Sequence, residues 1–460
     1  MAIFKKTMVL FLCISLLAVG CRREGDGISS PNDTGTIPDT EIQVEGTVPP
    51  ADTPELMYLS ATGVKNVLVE YFEEANPEIT VYYADGDPSS LISLLRDGGG
   101  PDIIIFRMNA FSAPDGLPQL TGLLNEGLFM DINELDVDLS ACNPTVLEAG
   151  KYDGRQFFVP LFYSLGMLYT TEERLDEAGI TWHEGMTLED FSAQFPAFYQ
   201  AFPEKKAFLN YFMTDFLRAQ NALDLTAGND DMLQNAETIC SAYLDLFPGI
   251  FEDPADYMFF LKYHEYGESD VDLYRSGDLL FMSGRGFDGS FESLAMVNRL
   301  YTEDIEKGET PLYFPLPTAD GGAPAPAVTY AIAVNANTQH PSAAAQMIES
   351  CIGYDTQCRL SAFGIPVNQT ALSHMKAFYL FPDISPDEEY AFSKSAEFDH
   401  DFVQSYFSRI DNIKNPVYAD DTTGNLLLNC ARAMSEDGKT FEEAYAEILP
   451  ELDACLSGKK

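Results

Sequence analysis

Side chains that could do chemistry are abundant in this chain, but they fall into no catalytic spacing. The 460 residues hold 72 aspartates and glutamates and five histidines. With so many acids, carboxylate pairs at suggestive separations arise by number alone, and their first reading is solvated surface. No Gly-x-Ser-x-Gly elbow, His-Glu-x-x-His helix or Gly-x-x-x-x-Gly-Lys-Ser/Thr phosphate loop occurs. His264-Glu265 opens the zinc-helix pattern, but Glu268 stands where the second histidine belongs. No catalysis, metal or cofactor is therefore expected. The scarce cations say more. Among only 27 lysines and arginines, Arg107 and Arg285 follow apolar runs that read as strands. A guanidinium at a strand end can clamp a carboxylate or phosphate, or stack on a ring. The alternative for each is a salt bridge to one of the many acids.

The elements that must position these side chains follow from hydrophobic period. Leu56 to Ser60 reads as a short strand, and Val64, Val67, Leu68, Tyr71 and Phe72 then recur at helical spacing until Asn76-Pro77. Ile79, Val81 and Tyr83 alternate as a strand, and Ser89 or Ser90 is expected to cap a helix carrying Leu91, Ile92, Leu94 and Leu95. The turn Gly98 to Pro101 leads into Ile103-Ile104-Ile105-Phe106, an uninterrupted apolar run typical of a strand buried on both faces. This is βαβαβ, and it predicts an open parallel sheet whose ligand crevice lies beyond the carboxyl ends of its strands.

A second α/β region is expected beyond Val159-Pro160. Asp153-Gly154-Arg155 reads as a turn, and Phe157 to Tyr169 as near-continuous strand. Thr187 with Asp190 reads as a helix start, followed by a helix-rich stretch to about residue 275. Leu279 to Met282 reads as a buried strand, Pro311 to Pro326 as an extended connector, and Tyr330 to Val334 as a returning strand. Ser342 should cap a helix through Cys351, and Phe441, Ala444, Tyr445, Ile448, Leu449 and Leu452 make an amphipathic helix.

Residues 1–20 have a basic start and an apolar run too short to span a bilayer comfortably, the proportions of a secretory signal. Leu17-Ala18-Val19-Gly20-Cys21 resembles the bacterial lipobox, which implies lipidation at Cys21. Residues 22–53 hold four prolines and seven acids among Gly, Ser and Thr, a composition expected to form a disordered tether. Losing Lys5 and Lys6 with the leader leaves 25 basic against 72 acidic residues, a balance of -47. Such a surface repels polyanions, so no nucleic acid is expected as a partner, and membrane attachment should run through the lipid alone. Cys142, Cys240, Cys351, Cys358, Cys430 and Cys455 remain in the body, without a Cys-x-x-Cys, and read as small buried hydrophobes among which one pair could form.

In series, these features resemble the family 1 extracellular solute-binding proteins, receptors of ATP-driven importers that include the maltodextrin-binding type. The residues that carry the likeness run from Tyr71 to Val81 and from Gly100 to Ile104, then from Leu123 to Leu128. They continue with Gly154 to Pro160, Leu168-Tyr169, Ala178-Gly179-Ile180, Ser276 to Met282, Tyr330 to Asn335 and Pro341 to Ala345. The resemblance implies a bilobed α/β periplasmic-binding-protein-like fold of class II, two open mainly parallel sheets flanked by helices and joined by a hinge. Lobe 1 would be 54–160 plus 327–370, and lobe 2 would be 161–326 plus 371–460. One departure lies at Thr181-Trp182, where His183-Glu184-Gly185 intervenes before the helix restarts.

Placing strand ends on this frame gives the expected ligand contacts: Tyr58 and Ser60 after the first strand, and Phe106, Arg107 and Asn109 at the third. Phe162 and Tyr163 fall at the lobe crossing, Ser283, Arg285 and Phe287 across the cleft, and Tyr330 on the return. The resemblance implies a solute-binding receptor that is not an enzyme, lipid-anchored on the outer face of a bacterial cell membrane, monomeric, and serving the membrane subunits of a permease. Carbohydrate is the favoured ligand, with a peptide or anionic solute open. Two other readings are a surface glycan-cleaving enzyme using a carboxylate pair and a ligand receptor for a sensor kinase.

Overall fold

The computed structural model describes residues 55–59, 64–85, 88–107, 123–124, 126–165, 167–208, 229–251, 270–282, 291–319, 321, 326–380, 398–413 and 421–457. All belong to one compact unit, Val48–Lys460. The leader, Cys21 and the tether lie outside the described residues.

The first five elements are β1 (Glu55–Leu59), α1 (Val64–Ala75), β2 (Tyr82–Asp85), α2 (Pro88–Arg96) and β3 (Ile103–Arg107). They form the expected βαβαβ unit, with β1 between β2 and β3 and parallel to both. α2 opens on Pro88, so Ser89 and Ser90 lie inside its first turn and do not precede it; proline is pre-set for that position because its missing N–H would be unbonded anyway. The next elements are α3 (Pro144–Leu147), β4 (Lys151–Tyr152), β5 (Arg155–Gln156), β6 (Phe158–Leu165) and β7 (Met167–Thr171). Asp153 and Gly154 have φ of 49° and 75° between β4 and β5, the two positive values that a tight type I′ hairpin requires. Helices α4 (Glu172–Ala178), α5 (Leu188–Ser192), α6 (Phe195–Ala201), α7 (Asn229–Leu246), α8 (Asp270–Ser276) and α9 (Phe291–Lys307) follow. Thr187 caps α5 as expected, accepting from the Asp190 amide. The chain ends with β8 (Pro311–Pro315), β9 (Pro326–Val334), α10 (Pro341–Ile352), α11 (Tyr354–Arg359), β10 (Ile365–Pro366), α12 (Gln369–Leu380), α13 (His400–Asp411), α14 (Asp421–Glu436) and α15 (Phe441–Ser457). Ser342 lies within α10, which starts at Pro341 without a side-chain cap.

The main sheet has six strands in the order β10-β6-β9-β3-β1-β2. β9 pairs antiparallel with both β3 and β6, so β1, β2, β3 and β6 all run one way while β9 and β10 run back. The fold is the expected open α/β sheet, made mixed by β9, which returns from beyond β8 and inserts between two strands of the opposite direction.

The run expected as one strand, Phe157 to Tyr169, serves two sheets. β6 stays in the main sheet, whereas β7 pairs antiparallel with β8 in a separate ribbon. β8 lies within the proline-rich stretch expected to be only a connector; its prolines sit at the two ends of the strand, opposite Thr171 and Met167, where a missing N–H disturbs the ladder least. Leu279 to Met282 is buried but forms no full strand. It makes single bridges, Leu279 with Lys206 and Met282 with Tyr169.

Buried side chains fall into two cores. The first surrounds the main sheet and reaches from Leu68 to Ile413; the second gathers Leu168, Phe191, Phe195, Phe208, Tyr243, Phe281 and Phe314 with α14 and α15. The ribbon divides them. Met167 and Tyr169 of β7 and Tyr313 of β8 enter the first core, while Leu168 and Phe314 enter the second, because successive side chains on a strand point to opposite faces. The segment 371–460 is likewise shared. Met375, Phe378, Phe402 and Phe407 pack in the first core, whereas Leu427, Cys430 and Ile448 pack in the second.

Candidate functional site

The carboxyl ends of β3 and β6 meet the start of β9, and the pairing there is irregular. Pro160 opposes Ala331, Phe162 opposes Tyr330 and Tyr163 opposes Val328, so Leu161 and Thr329 are each left without a partner in the ladder. Such bulges bend a strand and re-aim its side chains. The Leu161 carbonyl is taken up by the Val367 amide at 3.2 Å. The buried Thr329 hydroxyl finds no hydrogen-bond partner among the described residues. Beside it the Tyr330 ring packs edge-on between Phe162, with centroids 6.4 Å apart, and Phe363, at 6.0 Å. Phe162 is fully buried, but Tyr330 and Phe363 keep part of their surface exposed.

Gly364 makes this approach possible. Its φ is 142°, and a Cβ there would lie 3.1 Å from the Tyr163 carbonyl and 3.2 Å from Phe162 Cβ. Only a residue without a side chain lets the backbone of 363–366 lie against β6 at this point. Thr329 and Phe363 were not among the expected contacts. The available signal was Phe363-Gly364-Ile365-Pro366, a Gly/Pro-punctuated apolar stretch that marks close backbone approach.

Of the expected contacts, Tyr330 alone among those with described side chains presents surface at this crossing. Phe106 is 1% exposed and packs edge-on against Phe158, with centroids 5.9 Å apart. Phe162 and Tyr163 are likewise enclosed in the first core. Burial pushes the Tyr163 phenol far above its ordinary range. All three rings pack in the first core in this structure. Tyr58 and Arg107 are placed by their backbones, opposite Ile105 and Tyr330 respectively; their side chains lie outside the described residues, as do Ser60, Asn109, Ser283, Arg285 and Phe287. Gly284-Arg285-Gly286-Phe287-Asp288-Gly289 has the glycine spacing of a dinucleotide loop, a weak signal alone, and it too lies outside them.

A second polar cluster is internal. Asp304 is fully buried on α9, accepts from the Tyr169 hydroxyl at 2.8 Å and the Tyr274 hydroxyl at 3.1 Å, and pairs with Lys307 at 2.7 Å. Burial, before the neighbouring charges, drives both phenols far above their ordinary range. Arg174 completes the cluster, lying 4.0 Å over the Tyr274 ring and 3.7 Å from Glu309. With its carboxylate satisfied from three sides, Asp304 docks α9 onto β7 and α8. The cysteines with described side chains are all buried, and burial pushes Cys142 up to about 12 and Cys358 up to about 11, which keeps both as protonated packing groups. Trp182 stacks on Phe314 at 4.3 Å beside the second core, the structural place expected of it. Among the described residues no group of three or more His, Cys, Asp or Glu is arranged to hold a metal, and no helix is long and apolar enough to cross a membrane.

No protein-family model and no curated protein matches the sequence. Solved structures do match the fold. An extracellular solute-binding protein of family 1 from Alicyclobacillus acidocaldarius aligns at 14% identity over 89% of this chain and 100% of its own, with a TM-score of 0.52. The GacH receptor of Streptomyces glaucescens, determined unliganded and with acarbose, gives 12% identity over 89% and 99%, with a TM-score of 0.53. A periplasmic oligogalacturonide-binding protein from Yersinia enterocolitica gives 16% over 89% and 100%, with a TM-score of 0.55. The six-stranded sheet, the shared ribbon and these full-length superpositions agree: the chain has the bilobed α/β fold of the periplasmic and extracellular solute-binding proteins.

Proposed function

We propose that this chain is an exported receptor that captures a carbohydrate at the crossing between its lobes and passes it to the membrane subunits of an ATP-driven permease. The observation that carries the reading is the part-exposed Tyr330–Phe363 ring pair at the carboxyl ends of β3 and β6, with the Thr329 hydroxyl enclosed behind it. Sugar rings offer apolar C–H faces to aromatic rings and hydroxyls to polar groups, and a site of this kind needs both. The solved structures it resembles include receptors for acarbose and oligogalacturonide. In this reading Tyr58, Ser60, Arg107, Asn109, Ser283, Arg285 and Phe287 join Tyr330 and Phe363 around the solute. The receptor is not an enzyme, works as a monomer and is held to the outer face of the membrane by lipid on Cys21. Lobe 1 is drawn as 54–160 plus 327–370 and lobe 2 as 161–326 plus 371–460.

Calorimetry on the chain from residue 54, against panels of oligosaccharides, peptides, amino acids and small anions, tests this. Heat from one class of oligosaccharide, with the sugar recovered unchanged, supports it. Binding confined to peptides or anions overturns the ligand class, silence across all panels overturns the receptor, and release of shorter sugars makes it a glycan-cleaving enzyme.

A further inference from the structure

Two thiols that the ligand site does not use stand side by side in the second core. Cys240 on α7 and Cys430 on α14 are both buried, and the two helices pack against each other in the second core. The Cys240 sulfhydryl also lies 3.4 Å from the Leu427 carbonyl, one turn before Cys430 and 187 positions along the chain from Cys240. The helices come this close because small side chains flank the contact, with Ala236 one turn from Cys240 and Ala431 next to Cys430, both buried. Cys142, Cys351 and Cys358 are also buried free thiols, and all three lie in the first core.

We propose that Cys240 and Cys430 are a modification site, a dithiol that closes to a disulfide by exchange with a low-molecular-weight disulfide such as glutathione disulfide. One cysteine thiolate attacks a sulfur of the oxidant, and the other half of the oxidant leaves as a thiolate that takes up a proton. The second cysteine then loses its proton and attacks the mixed disulfide, displacing the remaining half as a thiol. Two protein thiols and one external disulfide become one protein disulfide and two external thiols, so two electrons pass from protein sulfur to the reagent. The new bond ties α7 to α14, which restricts the unfolded chain over a long loop. Burial closes both sulfurs to reagent in the native state, so exchange takes place during folding or when α14 lifts from α7. Only the cellular source of oxidant rests on the exported location proposed above, and the experiment supplies the oxidant itself.

The full body is refolded from denaturant in a glutathione redox buffer, the remaining thiols are alkylated, and a tryptic digest is read without reduction. The expected product joins the peptide 219–262 to 415–432, two hydrogens lighter than the sum of the free peptides, with Cys142, Cys351 and Cys358 alkylated. The oxidised protein should also unfold at a higher temperature than the reduced one. Cys240→Ser and Cys430→Ser should each abolish the joined peptide, and Cys240→Ala serves if serine disturbs the core. Alkylation of both cysteines after refolding, glutathione adducts without a bridge, or a bridge to another cysteine overturns the proposal, whatever the calorimetry finds about sugar.

Discussion

A carboxylate as enclosed as Asp304 tolerates its burial only because two phenols and Lys307 surround it. Asp304→Ala leaves Tyr169 and Tyr274 without their acceptor and is expected to lose about 3–5 kcal/mol, read as a lower urea midpoint at unchanged slope. The crossing makes the opposite demand. Thr329→Val removes a hydroxyl that has no described partner, so stability should hold to within about 1 kcal/mol. Affinity for the proposed sugar should instead fall on Tyr330→Ala, which removes the part-exposed ring, by about 0.5–1.5 kcal/mol in calorimetric titration. Equal affinity in that variant would remove Tyr330 from the site. At this scale the sequence was least legible. Apolar runs placed Phe106, Phe162 and Tyr163 near strand ends, but which side of a strand meets solvent depends on what covers it, and here the first core covers all three. Thr329 was invisible because its freedom comes from a slip in register that no local pattern encodes.

Elements were read well where period and punctuation agreed. The βαβαβ unit, the Thr187 helix start and the amphipathic α15 all stand where hydrophobic spacing put them. Four strands escaped, each for a physical reason: β4 and β5 are two residues each and showed only as the turn between them, β8 is bounded by the prolines that disguised it, and β10 is only Ile365–Pro366, held by pairing with β6 and by the close approach at Gly364. Gly364→Ala must place a side chain at φ 142° against a carbonyl, and is expected to lose about 1–3 kcal/mol in thermal or chemical unfolding. Because Trp182 is the only tryptophan and stacks on Phe314, its fluorescence reports on β8 directly. Phe314→Ala should shift emission to longer wavelength and destabilise by about 3–5 kcal/mol; an unmoved spectrum would contradict the stacking.

At the scale of the whole molecule the charge of -45 dominates. Like charges crowded onto one compact body repel, and ions screen them over about 10 Å at 0.1 M, so added salt should raise the unfolding midpoint near neutral pH. Acid acts differently. Glu173 is held below the usual carboxylate range chiefly by the Thr310 amide, and Glu126 by its hydrogen bonds from Arg96. A depressed carboxylate stabilises fully above its unfolded value and progressively less as pH falls through its folded value, so these contributions should fade below the ordinary glutamate value of 4.5. The stability gap between the chain and its Glu173→Gln variant should close below that pH, and a gap that stays constant would refute the assignment. The bilobed class was legible from the order of motifs, and the first core draws on segments from 68 to 413 that lie far apart in the chain.

That sharing bears on how the molecule melts. β7 and β8 turn one face to each core, so neither core can lose its order without stripping the wall of the other. Two separately packed bodies on a plain linker would give two heat-absorption peaks; here calorimetry should record one, with its measured enthalpy matching the value drawn from the steepness of the transition. Truncating Leu168 or Tyr169, which sit on opposite faces of the same strand, should move that single peak without splitting it.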